Sequence, residues 1–112
     1  MEFLNKKKIV EDLKSYIINE KIIILGVCLG MQLLCKTSEE GNLPGLGLID
    51  ANVKHMKKLN DNKLRYPHMG WNKISVIKDN SIILKGHDYK FYFVHSYYVE
   101  LNDESLEIAS CS

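Results

Sequence analysis

The chain has almost no net charge: 15 Lys and Arg face 14 Asp and Glu, leaving +1 at pH 7. No field of one sign is available to gather nucleic acid or an anionic membrane. The basic runs Lys6-Lys7-Lys8 and Lys57-Lys58 are short and suit solvated turns or helix faces. Cysteine is scarce as well. Cys28, Cys35 and Cys111 form no CxxC pair, and the spacings of His55, His68, His87 and His95 match no metal-ligand pattern, so neither a disulfide framework nor a metal centre is expected. The longest apolar stretch, Ile22 to Leu29, falls far below the about 20 residues a bilayer span needs. With no signal sequence in view, the expectation is a soluble, cytoplasmic, reduced protein without a cofactor. Internal repeats and low-complexity segments are also missing.

What is present is ordinary globular material, 46% hydrophobic and 26% charged over 112 residues, sufficient for one domain. From Lys6 to Asn19, the residues Ile9, Val10, Leu13, Tyr16 and Ile17 recur at helical spacing and predict one amphipathic helix. Ile22 to Leu25 run without alternation and predict a strand buried on both faces, as in a parallel sheet covered by helices. A second helical pattern runs through Met31, Gln32, Leu33, Leu34 and Cys35. Beyond Asn42 the texture becomes β-like, with antiparallel strands expected at 48–56, 72–77, 90–94, 97–101 and 106–109. A single buried parallel strand leaves its neighbours unaccounted for, and neither end reads as a natural boundary. Residues 1–112 are therefore expected to be one partial domain from the middle of a larger one.

Gly26-x-Cys28-x-Gly30 stands directly after the expected strand and directly before a helix, the form of a nucleophile elbow with Cys in place of Ser. Such a turn strains the nucleophile into positive φ, requires small residues on either side, and lifts the thiol to the sheet edge where the amino end of the next helix favours the thiolate. The plainer alternative is a buried small hydrophobe between two turn glycines. Cys35, on the expected helix, and Cys111 are read as packing residues.

The segment Gly26-Val27-Cys28-Leu29-Gly30-Met31-Gln32-Leu33-Leu34 resembles the nucleophile segment of the class I, or triad, glutamine amidotransferases. Ser38-Glu39-Glu40-Gly41, Pro44-Gly45-Leu46-Gly47-Leu48, Pro67-His68-Met69-Gly70-Trp71-Asn72 and Phe93-Val94-His95-Ser96-Tyr97-Tyr98-Val99 narrow the likeness to the glutaminase subunits of imidazole glycerol phosphate synthase. The resemblance implies a partial flavodoxin-like α/β domain, a parallel strand, elbow and helix followed by antiparallel strands. It also implies hydrolysis of glutamine through a Cys28 thioester, with the Leu29 N–H as one oxyanion donor. By the same resemblance Gln32, Glu40, His95, Ser96 and Tyr97 hold the substrate, while Met69, Trp71 and Tyr92 face a cyclase partner built as a (β/α)8 barrel.

Two parts of the family pattern are missing: the late His-x-Glu base and the glycine-rich oxyanion loop before the first helix. None of the four histidines is followed two places on by Glu, so a thiol on its own is expected to hydrolyse glutamine negligibly. Two other functions stay open at this point. One is a related subunit supplying ammonia for acetamidino-sugar formation in surface-glycan synthesis. The other is a catalytically dead fragment that keeps only a docking surface.

Overall fold

The computed structural model describes residues 1–59 and 62–111. Helices α1 (Glu2–Lys6) and α2 (Val10–Asn19) come first, then a short α3 (Leu29–Leu34). Six strands follow: β1 (Cys35–Ser38), β2 (Ile49–His55), β3 (His68–Val76), β4 (Tyr89–His95), β5 (Tyr97–Leu101) and β6 (Ala109–Ser110). They make two three-stranded sheets, ordered β1-β2-β5 and β4-β3-β6. β1 runs parallel to β2, and the remaining pairs, β2 with β5, β3 with β4 and β3 with β6, are antiparallel. No described helix is long and apolar enough to cross a membrane.

The first sheet carries the best-packed core. Cys35, Ala51 and Val53 are fully buried, and Met31, Ile49, Tyr97, Val99 and Leu101 close over them. Each such aliphatic side chain contributes about 1.5–3 kcal/mol when withdrawn from water. α3 sits where Met31 packs on this core, and the chain enters β1 at Cys35 without an intervening loop. Gly45 lies against the same junction. Its N–H donates to the Lys36 carbonyl at 2.8 Å, and a Cβ there would overlap the Cys35 carbonyl oxygen, so only glycine fits.

The structure departs from the sequence reading in several places. The expected Lys6–Asn19 helix is broken, with Lys8 at φ 56° and Ile9 opening α2. The expected buried strand at Ile22 to Leu25 is extended coil, with Ile23 96% and Leu25 78% exposed. A strand needs a ladder, and no described segment pairs with this one. α2 consequently covers no sheet and buries none of its residues. Cys35 lies not on the helix but at the start of β1, where pairing with Ile49 overrides the helical pattern, although its packing role holds. The run expected at 106–109 begins with a 3-10 turn at Glu104–Leu106, and β6 starts only at Ala109.

Candidate active site at the Cys28 elbow

Cys28 precedes α3 with φ 52° and ψ −115°, a backbone state that non-glycine residues adopt only when their surroundings impose it. Part of the imposition is visible at Gly26. A Cβ there would come within 2.8 Å of the Met31 Cα and N and 2.7 Å of a Leu34 methyl. At Gly30 a Cβ would meet nothing within 4 Å, so among the described residues the demand for smallness holds on one side of the elbow only. The turn closes through the Gly30 N–H to the Val27 carbonyl at 2.9 Å and the Gln32 N–H to the Cys28 carbonyl at 3.2 Å. The Cys28 side chain is exposed, which removes the buried-hydrophobe alternative. Leu29, the first helical residue, has no intrahelical acceptor for its N–H.

Beside the elbow lies a cleft of about 270 Å³, with Leu29, Gln32, Leu33, Ser38, Glu40 and Gly41 among its walls. A polar chain orders it. Ser38 Oγ donates to Gln32 Oε1 at 2.7 Å, Gln32 Nε2 donates to Glu40 Oε2 at 2.7 Å, and the Glu40 N–H donates to Ser38 Oγ at 3.2 Å. Gln32 is thus locked with its amide orientation fixed at both ends, and only one Glu40 carboxylate oxygen is engaged in this chain of bonds. Ser38, inside a motif singled out for its neighbours, is the member that sequence reasoning passed over. The available signal was the Ser38-Glu39-Glu40-Gly41 motif itself, of which only Glu40 was given a role.

Tyr97 packs with Met31 over the Cys35, Ala51 and Val53 cluster, on the same sheet as the cleft. His95 and Ser96 stand apart from it. No hydrogen bond joins either to Cys28, Gln32 or Glu40. His95 instead bonds His68 (Nε2 to Nδ1, 2.7 Å) and the Tyr97 carbonyl (Nδ1 to O, 2.7 Å). His68 in turn meets Asn72 at 2.5 Å and stacks on Phe93 with ring centroids 4.7 Å apart. Burial first, and the neighbouring His95 second, hold the His68 ring below its ordinary pKa. Neither His68 nor Asn72 had been assigned a role from sequence. The i, i+4 spacing that puts both on one face of a strand was the available clue.

The two cysteines that are not at the elbow behave differently from it. Burial pushes the Cys35 thiol up, and its Sγ donates weakly to the Met31 carbonyl at 3.5 Å, so it is an inert packing group. Cys111 is half-buried just after β6. No group of three His, Cys, Asp or Glu side chains among the described residues converges on a point where a metal could sit.

On the outer face of β3 and β4 the pattern is apolar. Trp71 pairs with Tyr92 and Met69 with Val94 across the ladder. The Trp71 and Tyr92 rings meet edge to face at 5.7 Å, yet Trp71 remains 69% and Met69 59% exposed. Trp71 is therefore outside the core that the described residues form.

Cys28 thus stands in a strained turn at the head of a short helix, beside a cleft whose walls include the end of the strand that follows. Residues 5–112 match the model of the class-I glutamine amidotransferases, and the chain belongs to that family. It is 40% identical over 111 residues to the imidazole glycerol phosphate synthase subunit HisH of Leptospira interrogans, an alignment covering 97% of this chain and 54% of that protein. It is 44% identical over 109 residues to subunit HisH 2 of Methanococcus maripaludis, covering 93% and 51%. With the HisH subunit of Bacillus subtilis it shares 42% identity over 96 residues, covering 83% and 45%. The chain thus spans about half the length of the curated relatives it matches.

Proposed function

We propose that this chain is the nucleophile-bearing part of a glutaminase that supplies ammonia to an imidazole glycerol phosphate synthase. The observation that carries the reading is the Cys28 elbow opening beside a cleft in which Gln32 and Glu40 are already held together. In this reading the Cys28 sulfur attacks the side-chain amide carbon of glutamine. The oxygen that gains charge is met by the Leu29 N–H, ammonia leaves, and water then cleaves the thioester to release glutamate and the thiol. Glu40 offers its other carboxylate oxygen to the substrate's α-ammonium group, with Gln32 fixing that carboxylate in place. The family resemblance assigns His95, Ser96 and Tyr97 to the same substrate, although none of them lines the described cleft. Among the described residues no side chain is hydrogen-bonded to the Cys28 sulfur, so none is assigned as the base that takes the thiol proton.

The relatives are named as subunits of a synthase, which favours a biosynthetic ammonia acceptor bound to a partner over a glycan pathway. Met69, Trp71 and Tyr92 are assigned to the partner face, because a Trp and a Tyr stacked on an outward strand face are typical anchors of a protein interface. A cyclase with a (β/α)8 barrel is the partner this reading calls for, in the cytoplasm. The test is Cys28→Ser in the full-length protein with its partner synthase. Ammonia release from glutamine is expected to fall at least about a thousandfold while partner affinity is unchanged. Undiminished turnover in that variant removes Cys28 as the nucleophile.

A further inference from the structure

Three hydrogen bonds run in one line across the inner face of β3 and β4. Asn72 Nδ2 lies 2.5 Å from His68 Nε2, His68 Nδ1 lies 2.7 Å from His95 Nε2, and His95 Nδ1 lies 2.7 Å from the Tyr97 carbonyl oxygen. The far end fixes every hydrogen. A carbonyl oxygen only accepts, so His95 Nδ1 carries a hydrogen. In the neutral ring Nε2 is then bare and accepts from His68 Nδ1–H. His68 Nε2 is bare in turn and accepts from the Asn72 amide. One arrangement satisfies all three contacts, and it places the hydrogen on Nδ1 in both rings. A second proton would set His95 Nε2–H against His68 Nδ1–H at 2.7 Å, or His68 Nε2–H against the Asn72 amide N–H at 2.5 Å.

Nothing around the rings competes with this pattern. Phe93 lies flat on His68 and tilted to His95, at centroid distances of 4.7 and 5.7 Å. No carboxylate, Lys or Arg among the described residues is bonded to either ring. The remaining titratable neighbour, His55, stands edge-on to the Tyr97 ring at 5.0 Å and bonds the Lys57 N–H. The Ser96 carbonyl is held separately by the Met56 N–H at 2.9 Å. His95, Ser96 and Tyr97 form the one-residue bend that carries the chain from one sheet into the other. The His95 ring spans that bend by bonding the backbone two residues on.

We propose that His68 and Asn72 are positioning residues: they hold His95 in its Nδ1–H form, and through the Tyr97 carbonyl they set the geometry of the bend at Ser96. The consequence for catalysis rests on the glutaminase reading, in which this bend borders the glutamine pocket. The hydrogen pattern itself does not.

The experiment is side-chain ¹⁵N spectroscopy of the four histidines in the full-length protein at neutral pH, with His68→Leu and His68→Asn variants. His68 and His95 are expected as neutral Nδ1–H forms. In His68→Leu the His95 ring is expected to become a mixture of tautomers. In His68→Asn, whose amide offers a donor near the lost Nδ1, the Nδ1–H form is expected to be retained. An Nε2–H or doubly protonated ring at either position in the parent overturns the proposal, as does an unchanged His95 tautomer in a folded His68→Leu variant. In glutamine hydrolysis His68→Leu is expected to raise KM about tenfold, one hydrogen bond's worth of positioning, with a smaller change in kcat and with recovery in His68→Asn. A KM that stays put while the tautomer changes removes the positioning role. Failure of the Cys28→Ser prediction, by contrast, overturns the glutaminase reading and leaves the tautomer pattern standing.

Discussion

At the scale of single residues, the elbow shows how unequal two similar glycines can be. Gly26 is small because the Met31 backbone and the Leu34 side chain occupy the space a Cβ would need, whereas Gly30 faces open space. Gly26→Ala is expected to cost about 1–3 kcal/mol, the usual cost of overpacking, because two of its three nearest obstacles are backbone and cannot rotate away. Gly30→Ala, inside a helix and unopposed, is expected to be neutral or to stabilise by up to about 1 kcal/mol. Urea unfolding of the two variants side by side checks the contrast, and equal losses would contradict it. The pattern Gly26-x-Cys28-x-Gly30 was readable in the sequence, and so were Gln32 and Glu40 through the family motifs. The difference between the glycines was not, since it depends on which atoms lie opposite, and a motif records residue types without their surroundings.

Among the elements, β2, β4 and β5 fall close to where alternation places them, and β5 occupies Tyr97–Leu101 as expected. β3 begins earlier, at His68, because the Pro67-to-Asn72 motif reads as a turn until its pairing with β4 is known. β1 was invisible: four residues, three of them polar or charged, become a strand only because β2 lies alongside. Local propensity carries little weight against such a pairing. The outer face of the β3–β4 ladder gives a prediction of its own. With Trp71 69% exposed and its ring meeting Tyr92 edge to face on that face, Trp71→Ala is expected to change unfolding free energy by less than about 0.5 kcal/mol, the range of ordinary surface substitutions. In the same variant partner binding is expected to weaken at least about tenfold, as for an interface anchor. Calorimetric titration with the partner synthase, set beside thermal unfolding, separates the two effects. A large stability loss with intact binding would return Trp71 to a packing role.

For the molecule as a whole, the notable feature is where apolar surface remains uncovered. Ile22 to Val27 carry the strongest strand composition in the chain and yet lie open, Gly26 alone excepted, with Val27 72% exposed, while the small core beneath β1, β2 and β5 is sealed. Backbone amides follow the same division. In the 112-residue chain, those of Ile22 to Val27 are expected to exchange with solvent at close to unprotected rates, and those of Ala51 and Val53, on a strand paired on both sides, to be protected. Hydrogen exchange read by mass spectrometry decides it, and strong protection at 22–27 would contradict the extended coil. A strand with the right composition was legible, but a ladder requires two members, and the composition of one says nothing of the other. The splice of α3 into β1 at Cys35 has a mechanical consequence. From Cys28 to Glu40 the chain runs thirteen residues through α3, β1 and one tight turn, tied across by the Gln32–Glu40 bond, so the two ends are held as one stiff unit. Lengthening that unit by one residue would turn the Cys28 end relative to Glu40, whereas additions in the turns beyond Gly41 would leave the two in step.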